Sequence, residues 1–136
     1  VLERQLGMYR DALREKGGEA PGDLPMMREL YLDTDRGRAF EQARPYLEPK
    51  YQAYAAWGQD KALPGEESFR QPFEQLARDR FLIGTPEDLI REVERYEKRL
   101  GVTHMLFRLQ WPGMPQEMVM RQLDLLGKQV LPHFRK

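Results

Sequence analysis

Four places in this sequence carry groups that could do chemistry. Arg108 closes an apolar run at residues 103–109, where its guanidinium could hold a carboxylate or sulfonate through two parallel hydrogen bonds. Trp111 follows at the end of that run and could wall a pocket for a ring, although packing beneath the Pro112-Gly113 turn would also account for it. Gly84-Thr85 stands at the start of a helical pattern, and backbone N–H groups at a helix N-terminus favour an anion. Capping of that helix by Thr85 alone is the plainer role. Glu29, in an earlier apolar run, is a partner for Arg108 in an internal ion pair. Such a pair fixes geometry more than it stabilises.

Other chemistries are missing. The 136 residues include no cysteine, which removes disulfides, thiolate nucleophiles and Cys-ligated metals and is compatible with a reducing, cytoplasmic setting. The two histidines, His104 and His133, are far apart with no carboxylate at ligand spacing, so no metal site is expected. His104 reads as a satisfied core or interface side chain and His133 as a solvated one. There is no dinucleotide fingerprint, P-loop or nucleophile elbow. Lys+Arg and Asp+Glu both number 22, a zero balance that argues against a general nucleic-acid binder. No apolar run approaches the ~20 residues that span a bilayer, so no membrane partner is expected.

The elements that must position these residues follow from local signals. Leu2, Leu6, Tyr9 and Leu13 give one helical face over residues 1–16, stopped by Gly17-Gly18. Residues 26–32 form a strand closed by Asp33-Thr34-Asp35, which can cap a helix over 35–57. Pro45 and Pro49 predict a break in that helix near 44–49. Residues 58–72, with Gly58, Pro64, Gly65 and Pro72, read as a long loop, either a lid over substrate or a plain insertion. A short helix near 73–78 and a strand at 80–83 come next.

Thr85, Pro86 and Asp88 then make a capped helix start. Leu89, Val93, Tyr96 and Leu100 form its apolar stripe, and Gly101 ends it. The strand at 103–109 puts Met105, Phe107 and Leu109 on one face and His104, Leu106 and Arg108 on the other. A last helix over 116–131 turns Val119, Leu123, Leu126 and Val130 inward, with Pro132 beyond its end. Met105, Met114, Met118 and Met120 fill gaps in the core.

Strands alternating with helices predict a parallel sheet. Three strands are too few to be buried on both faces by this chain's own helices, and parallel sheets seldom keep a bare face or two open edges. The expected fold class is therefore α/β: part of a larger barrel or sheet, with parallel strands at about 26–32, 80–83 and 103–109. The opening on Val1, inside a helical pattern, is read as a hint of a fragment or a processed piece, and an artificially chosen start would give the same opening.

Several motifs stand in order at natural spacing. They are Arg28-Glu29-Leu30-Tyr31-Leu32-Asp33 before an Ala/Tyr-rich helix, Phe81-Leu82-Ile83-Gly84-Thr85-Pro86-Glu87-Asp88, Tyr96 followed by Leu100-Gly101-Val102, the strand ending in Arg108, and Gly127 to Pro132. Together they resemble the C-terminal portion of the bacterial luciferase-like flavin monooxygenases. Tyr9 to Gly17 resembles the helix that precedes this portion. Each motif is generic alone, and the series carries the likeness over nearly the whole chain.

The resemblance implies a (β/α)8 TIM barrel whose sixth, seventh and eighth strands are those named, with residues 1–136 as a C-terminal fragment. A whole barrel takes ~250 residues. It also implies reduced FMN, or the deazaflavin F420, as cofactor, a small organic substrate, and monooxygenation or hydride transfer by a cytoplasmic homo-oligomer. Barrel sites lie at the C-terminal ends of strands. Arg108, Trp111, Gly84 and Thr85 are thus the pocket candidates for flavin or substrate, and no catalytic residue is assigned. Most flavin contacts in that family belong to strands absent here, so the chain alone is expected to be inactive and to hold flavin poorly. The other reading is a non-catalytic α/β module that self-associates through open edges at 26–32 and 103–109.

Overall fold

The computed structural model describes residues 2–62 and 68–135. The proposed loop at 58–72, including Pro64 and Gly65, lies partly outside them. Helix α1 (Leu2–Glu15) ends at Gly17, whose φ of 66° only glycine adopts at no cost. Strand β1 (Pro25–Leu32) leads to Asp35, whose carboxylate accepts from the Arg38 N–H at 2.7 Å and caps α2 (Arg36–Ala56). A 3-10 turn at Gln59–Ala62 and the short α3 (Phe73–Ala77) precede β2 (Phe81–Gly84). Helix α4 (Pro86–Leu100) stops at Gly101 in the left-handed region, and β3 (His104–Arg108) follows. Helix α5 (Gln116–Leu125), a π turn at Leu126–Val130 and α6 (Leu131–Phe134) close the chain.

The break expected in α2 is absent, and the helix runs through Pro45 and Pro49. Both prolines are exposed, so the carbonyls that lose a donor face water. The opposite side buries Ala39, Ala43 and Leu47 at four-residue spacing, and that packing keeps the helix continuous through a weak stretch. The last helix also departs from its pattern. Val119 and Gln122 are buried while Leu123 is exposed, and Pro132 lies within α6 rather than beyond the helical segment. Proline has no N–H for an ordinary helical bond, and the π turn just before it lets the Leu131 N–H reach the Leu126 carbonyl instead.

All three strands are parallel, in the order β2-β1-β3. Consecutive units of a barrel pair in chain order, so the assignment of these strands to three successive barrel positions is corrected. β1 is central, β2 and β3 are the edges, and β1 cannot serve as an open edge for self-association. Glu29 is in register with both Phe81 and Arg108, so Glu29 and Arg108 are cross-strand neighbours rather than residues of alternate strands.

The sheet packs on two sides. Leu30, Leu32 and Leu82 meet Leu89, Tyr96, Leu100 and Val130 on one face, with Leu2 and Leu6 of α1 packed at the margin. Tyr31 and Phe81 meet Ala39, Ala43, Leu47, Phe73, Leu76 and Trp111 on the other. The C-terminal half of β1 is therefore buried on both faces by this chain's own helices, against the expectation from strand count. The N-terminal half is not: Met27 is 54% exposed and its neighbour Leu106 on β3 is 46% exposed. The sheet formed by the described residues is open, a partial barrel-like α/β fold rather than a closed cylinder. Among them no helix is long and apolar enough to cross a membrane.

Candidate functional site

The C-terminal end of β1 opens into a cleft of about 950 Å³ between the start of α2 and the outer face of α5. Tyr31, Asp33, Thr34, Arg38, Gln42, Arg121 and Asp124 supply its polar lining, and Met118 and Met120 much of its apolar lining. The Tyr31 hydroxyl donates to Gln42 Oε1 at 2.9 Å. Burial raises the Tyr31 pKa, with Arg121 opposing, so the phenol stays protonated. Partial burial pushes the Asp33 carboxyl up, but hydrogen bonds from Arg38 (2.8 Å) and the Asp35 N–H (3.1 Å) outweigh it and hold the pKa below the usual range. Asp33 is thus an anchored anion at the rim.

Gln122 fixes this end of the sheet. It is 1% exposed, and its Oε1 accepts from the Leu32 N–H at 3.2 Å. Its Nε2 donates to the Leu109 and Met118 carbonyls, each at 3.3 Å. One amide therefore ties the ends of β1 and β3 to α5. Sequence reasoning missed it. The available signal was a glutamine three residues after Val119, inside an otherwise apolar stripe.

The second constellation lies mid-sheet around Glu29, which is buried. One carboxylate oxygen pairs with Lys50 Nζ of α2 and lies 3.5 Å from Arg108 Nη1. The other accepts from Trp111 Nε1 at 2.5 Å. Trp111 is 1% exposed and stacks on Tyr31 with ring centroids 6.1 Å apart. It fills core volume and offers no face to a ligand. Arg108 is half exposed, with its guanidinium shared between Glu29 and the Met27 sulfur. Tyr51 packs beside this cluster, and burial together with the Glu29 charge pushes its pKa to about 12. The group holds two cations against one carboxylate, and Arg108 stays half exposed. Lys50 was not foreseen, since it stands next to Pro49 where the helix was expected to break.

Gly84, the last residue of β2, and Thr85, the N-cap of α4, sit apart from that cluster. The Thr85 hydroxyl accepts from the Asp88 N–H at 3.3 Å, and Asp88 Oδ2 accepts from the Thr85 N–H at 3.1 Å. The amide that could have met a ligand anion is occupied by an internal carboxylate. Gly84 is required for that closure, because a Cβ there would lie 2.6 Å from Asp88 Oδ2. Gly84→Ala is expected to lower stability by about 1–3 kcal/mol, measured by chemical denaturation, with α4 losing its first turn.

Asp88 also receives a two-pronged contact from Arg36 and one from Arg91. The Arg36 hydrogen bond is the largest influence and lowers its pKa from 3.8 to about 2. A carboxyl that ionises more readily in the folded chain stabilises it above the unfolded value, and the effect fades as pH falls from 3.8 toward 2. Asp88→Asn is expected to flatten acid unfolding in that window, with about 1 kcal/mol at stake once solvent screening is allowed for. Denaturation midpoints from about pH 6 down to about pH 2 check it.

The histidines take no part in these sites. His104 is exposed rather than packed in a core, because it lies in the uncovered half of the sheet, and its Nδ1 is 2.9 Å from Thr103 Oγ1. His133 is exposed, as expected, and its Nε2 lies 2.9 Å from Glu94 Oε1. Among the described residues no group of three or more His, Asp or Glu side chains could hold a metal ion.

No protein-family model matches the sequence. No curated protein matches it either. Solved structures do share the fold. Monooxygenase RslO1 from Streptomyces bottropensis superposes with a TM-score of 0.68 over 97% of this chain at 22% identity. The oxygenating constituent of 3,6-diketocamphane monooxygenase from the CAM plasmid of Pseudomonas putida, a type II Baeyer-Villiger monooxygenase in complex with FMN, gives 0.63 over 96% at 17% identity. This chain covers only 37% and 39% of those two chains.

Proposed function

We propose that this chain is the C-terminal part of a luciferase-like, flavin-dependent oxidoreductase, a monooxygenase acting on a small organic substrate. The supporting observation is that nearly the whole α/β arrangement superposes on part of two monooxygenases, one of them an FMN complex. FMN is the favoured cofactor, with F420 the alternative, and in either case the flavin supplies the redox step.

The residues present do not amount to a flavin cradle. Trp111 is buried, the Thr85 amide is taken by Asp88, and Arg38 is engaged by Asp33. What this chain offers is one wall. Arg108 presents a positive charge toward whatever covers the open face, and Tyr31, Asp33 and Arg121 line the cleft at the strand ends. Arg108 is the residue placed to hold a substrate or flavin anion, and Gly84 and Thr85 serve by shaping the start of α4. The parent works as a soluble cytoplasmic homo-oligomer.

The test is reconstitution. The chain is mixed with the preceding portion of such a barrel, and NAD(P)H-driven, flavin-dependent oxygen uptake is followed. Activity in the mixture and none in either piece supports the proposal, and a silent mixture of folded pieces rejects it.

A second reading, a non-catalytic module that pairs with itself, draws on the exposed Met27 and Leu106 beside the open edge of β3. A stable dimer of the chain alone by light scattering would favour it.

A further inference from the structure

We infer that a second cleft, on the α4 side of the sheet and away from the C-terminal ends of the strands, is a binding site for a phosphate group. Its volume is about 420 Å³, within the range of small-ligand pockets. Five arginines line it: Arg28 of β1, Arg78 and Arg80 ahead of β2, and Arg95 and Arg99 of α4. Among the described residues Glu3 and Asp79 line it with negative charge, and Glu92 pairs with Arg95 from outside the lining.

Some of these arginines have structural employment. Arg99 pairs with Glu3 at 2.8 Å, and Arg95 with Glu92 at 2.7 Å and more loosely with Asp79 at 3.6 Å. Cations near the end of α4 also suit its macrodipole. Arg28 is not explained this way. It occupies the position between Met26 and Leu30 on the apolar face of the central strand, where a guanidinium is costly to desolvate. Its Nη1 donates to the Met27 carbonyl, its Nε is buried without a hydrogen-bond partner, and it has no carboxylate partner among the described residues. Arg78, exposed at the rim, has none there either.

The Tyr96 ring organises the floor. The Arg28 guanidinium lies 5.6 Å from its centroid and the Arg95 guanidinium 5.3 Å. Both guanidinium groups therefore lie close to one ring, and the planar N–H fork of an arginine suits the oxygens of a phosphate. The overall charge is zero, so this concentration of cations is local rather than a property of a basic chain. The inference is independent of the oxidoreductase proposal, since it concerns a different cleft and needs no flavin.

The experiment is calorimetric titration of the full chain with inorganic phosphate and, separately, with adenosine monophosphate. Saturable binding that weakens with added salt is expected, with at least a tenfold loss of affinity in Arg28→Gln and in Arg78→Gln. Arg78 is exposed, so its variant keeps the fold and decides the matter should Arg28→Gln unfold. Equal affinities support the free anion as ligand, and tighter binding of the nucleotide supports a phosphate ester. No binding by the unmodified chain at millimolar concentration, or unchanged binding by a folded Arg78→Gln variant, overturns the inference.

Discussion

Truncating Glu29 to alanine is expected to cost about 3–5 kcal/mol, more than any other single substitution in the polar interior of this chain. The change removes one carboxylate and leaves three groups without their partner: Lys50 Nζ, the Trp111 N–H and the inner side of Arg108. Lys50 suffers most, because its side chain is only 12% exposed and water cannot replace the lost charge. The loss comes from orphaning a buried cation, not from forfeiting a strong attraction. A double variant, Glu29→Leu with Lys50→Met, is therefore expected to recover part of the stability, since no buried charge is left unpaired while the Trp111 N–H still lacks its acceptor. Urea denaturation of the two single variants and the double variant checks this, and a double variant as unstable as Glu29→Ala would show that the pair itself is what stabilises.

Gln122→Leu is expected to cost about 2–4 kcal/mol despite conserving volume. The buried Leu32 N–H loses its partner at roughly 1–3 kcal/mol, and the part-buried Leu109 carbonyl loses its own at a smaller cost. The effect should be local as well as global. Amide exchange at Leu32 is expected to accelerate under native conditions, while amides in the middle of α4 keep their protection relative to global stability. Gln122→Glu separates the two bonds, because a carboxylate still accepts from Leu32 but cannot donate to Leu109. Its exchange at Leu32 should stay slow while its stability falls.

What the sequence disclosed depended on the range of the interaction. Helix α4 was legible to the residue, since Thr85, Pro86, Asp88 and Gly101 act within one or two turns of the helix ends they define. The partners that hold Asp88 from elsewhere were not, because Arg36 lies 52 residues away. The parallel sheet followed from alternation of strands and helices, but its order did not. Chain order suggested β2 between its neighbours, whereas the continuous burial of residues 29–32 marks β1 as the central strand.

The candidate site was legible in the same partial way. Glu29 and Arg108 do meet, though as cross-strand neighbours, and Trp111 joins them by its indole N–H rather than by an open face. Lys50 and Gln122 escaped notice because each interrupts a pattern. One stands beside a proline, and the other replaces an apolar residue in a helical stripe. A polar residue where periodicity calls for an apolar one is the sign that a buried backbone group needs a partner.

The central claim is that this sheet forms one wall of a flavin barrel rather than a complete binding unit. The most direct measurement is a titration of FMN, followed by quenching of flavin fluorescence, against the chain alone and against the chain assembled with the preceding portion of such a barrel. We predict no stoichiometric binding by the chain alone and one flavin per assembled barrel. A purified chain that holds stoichiometric FMN on its own, or a folded assembly that holds none, would contradict it.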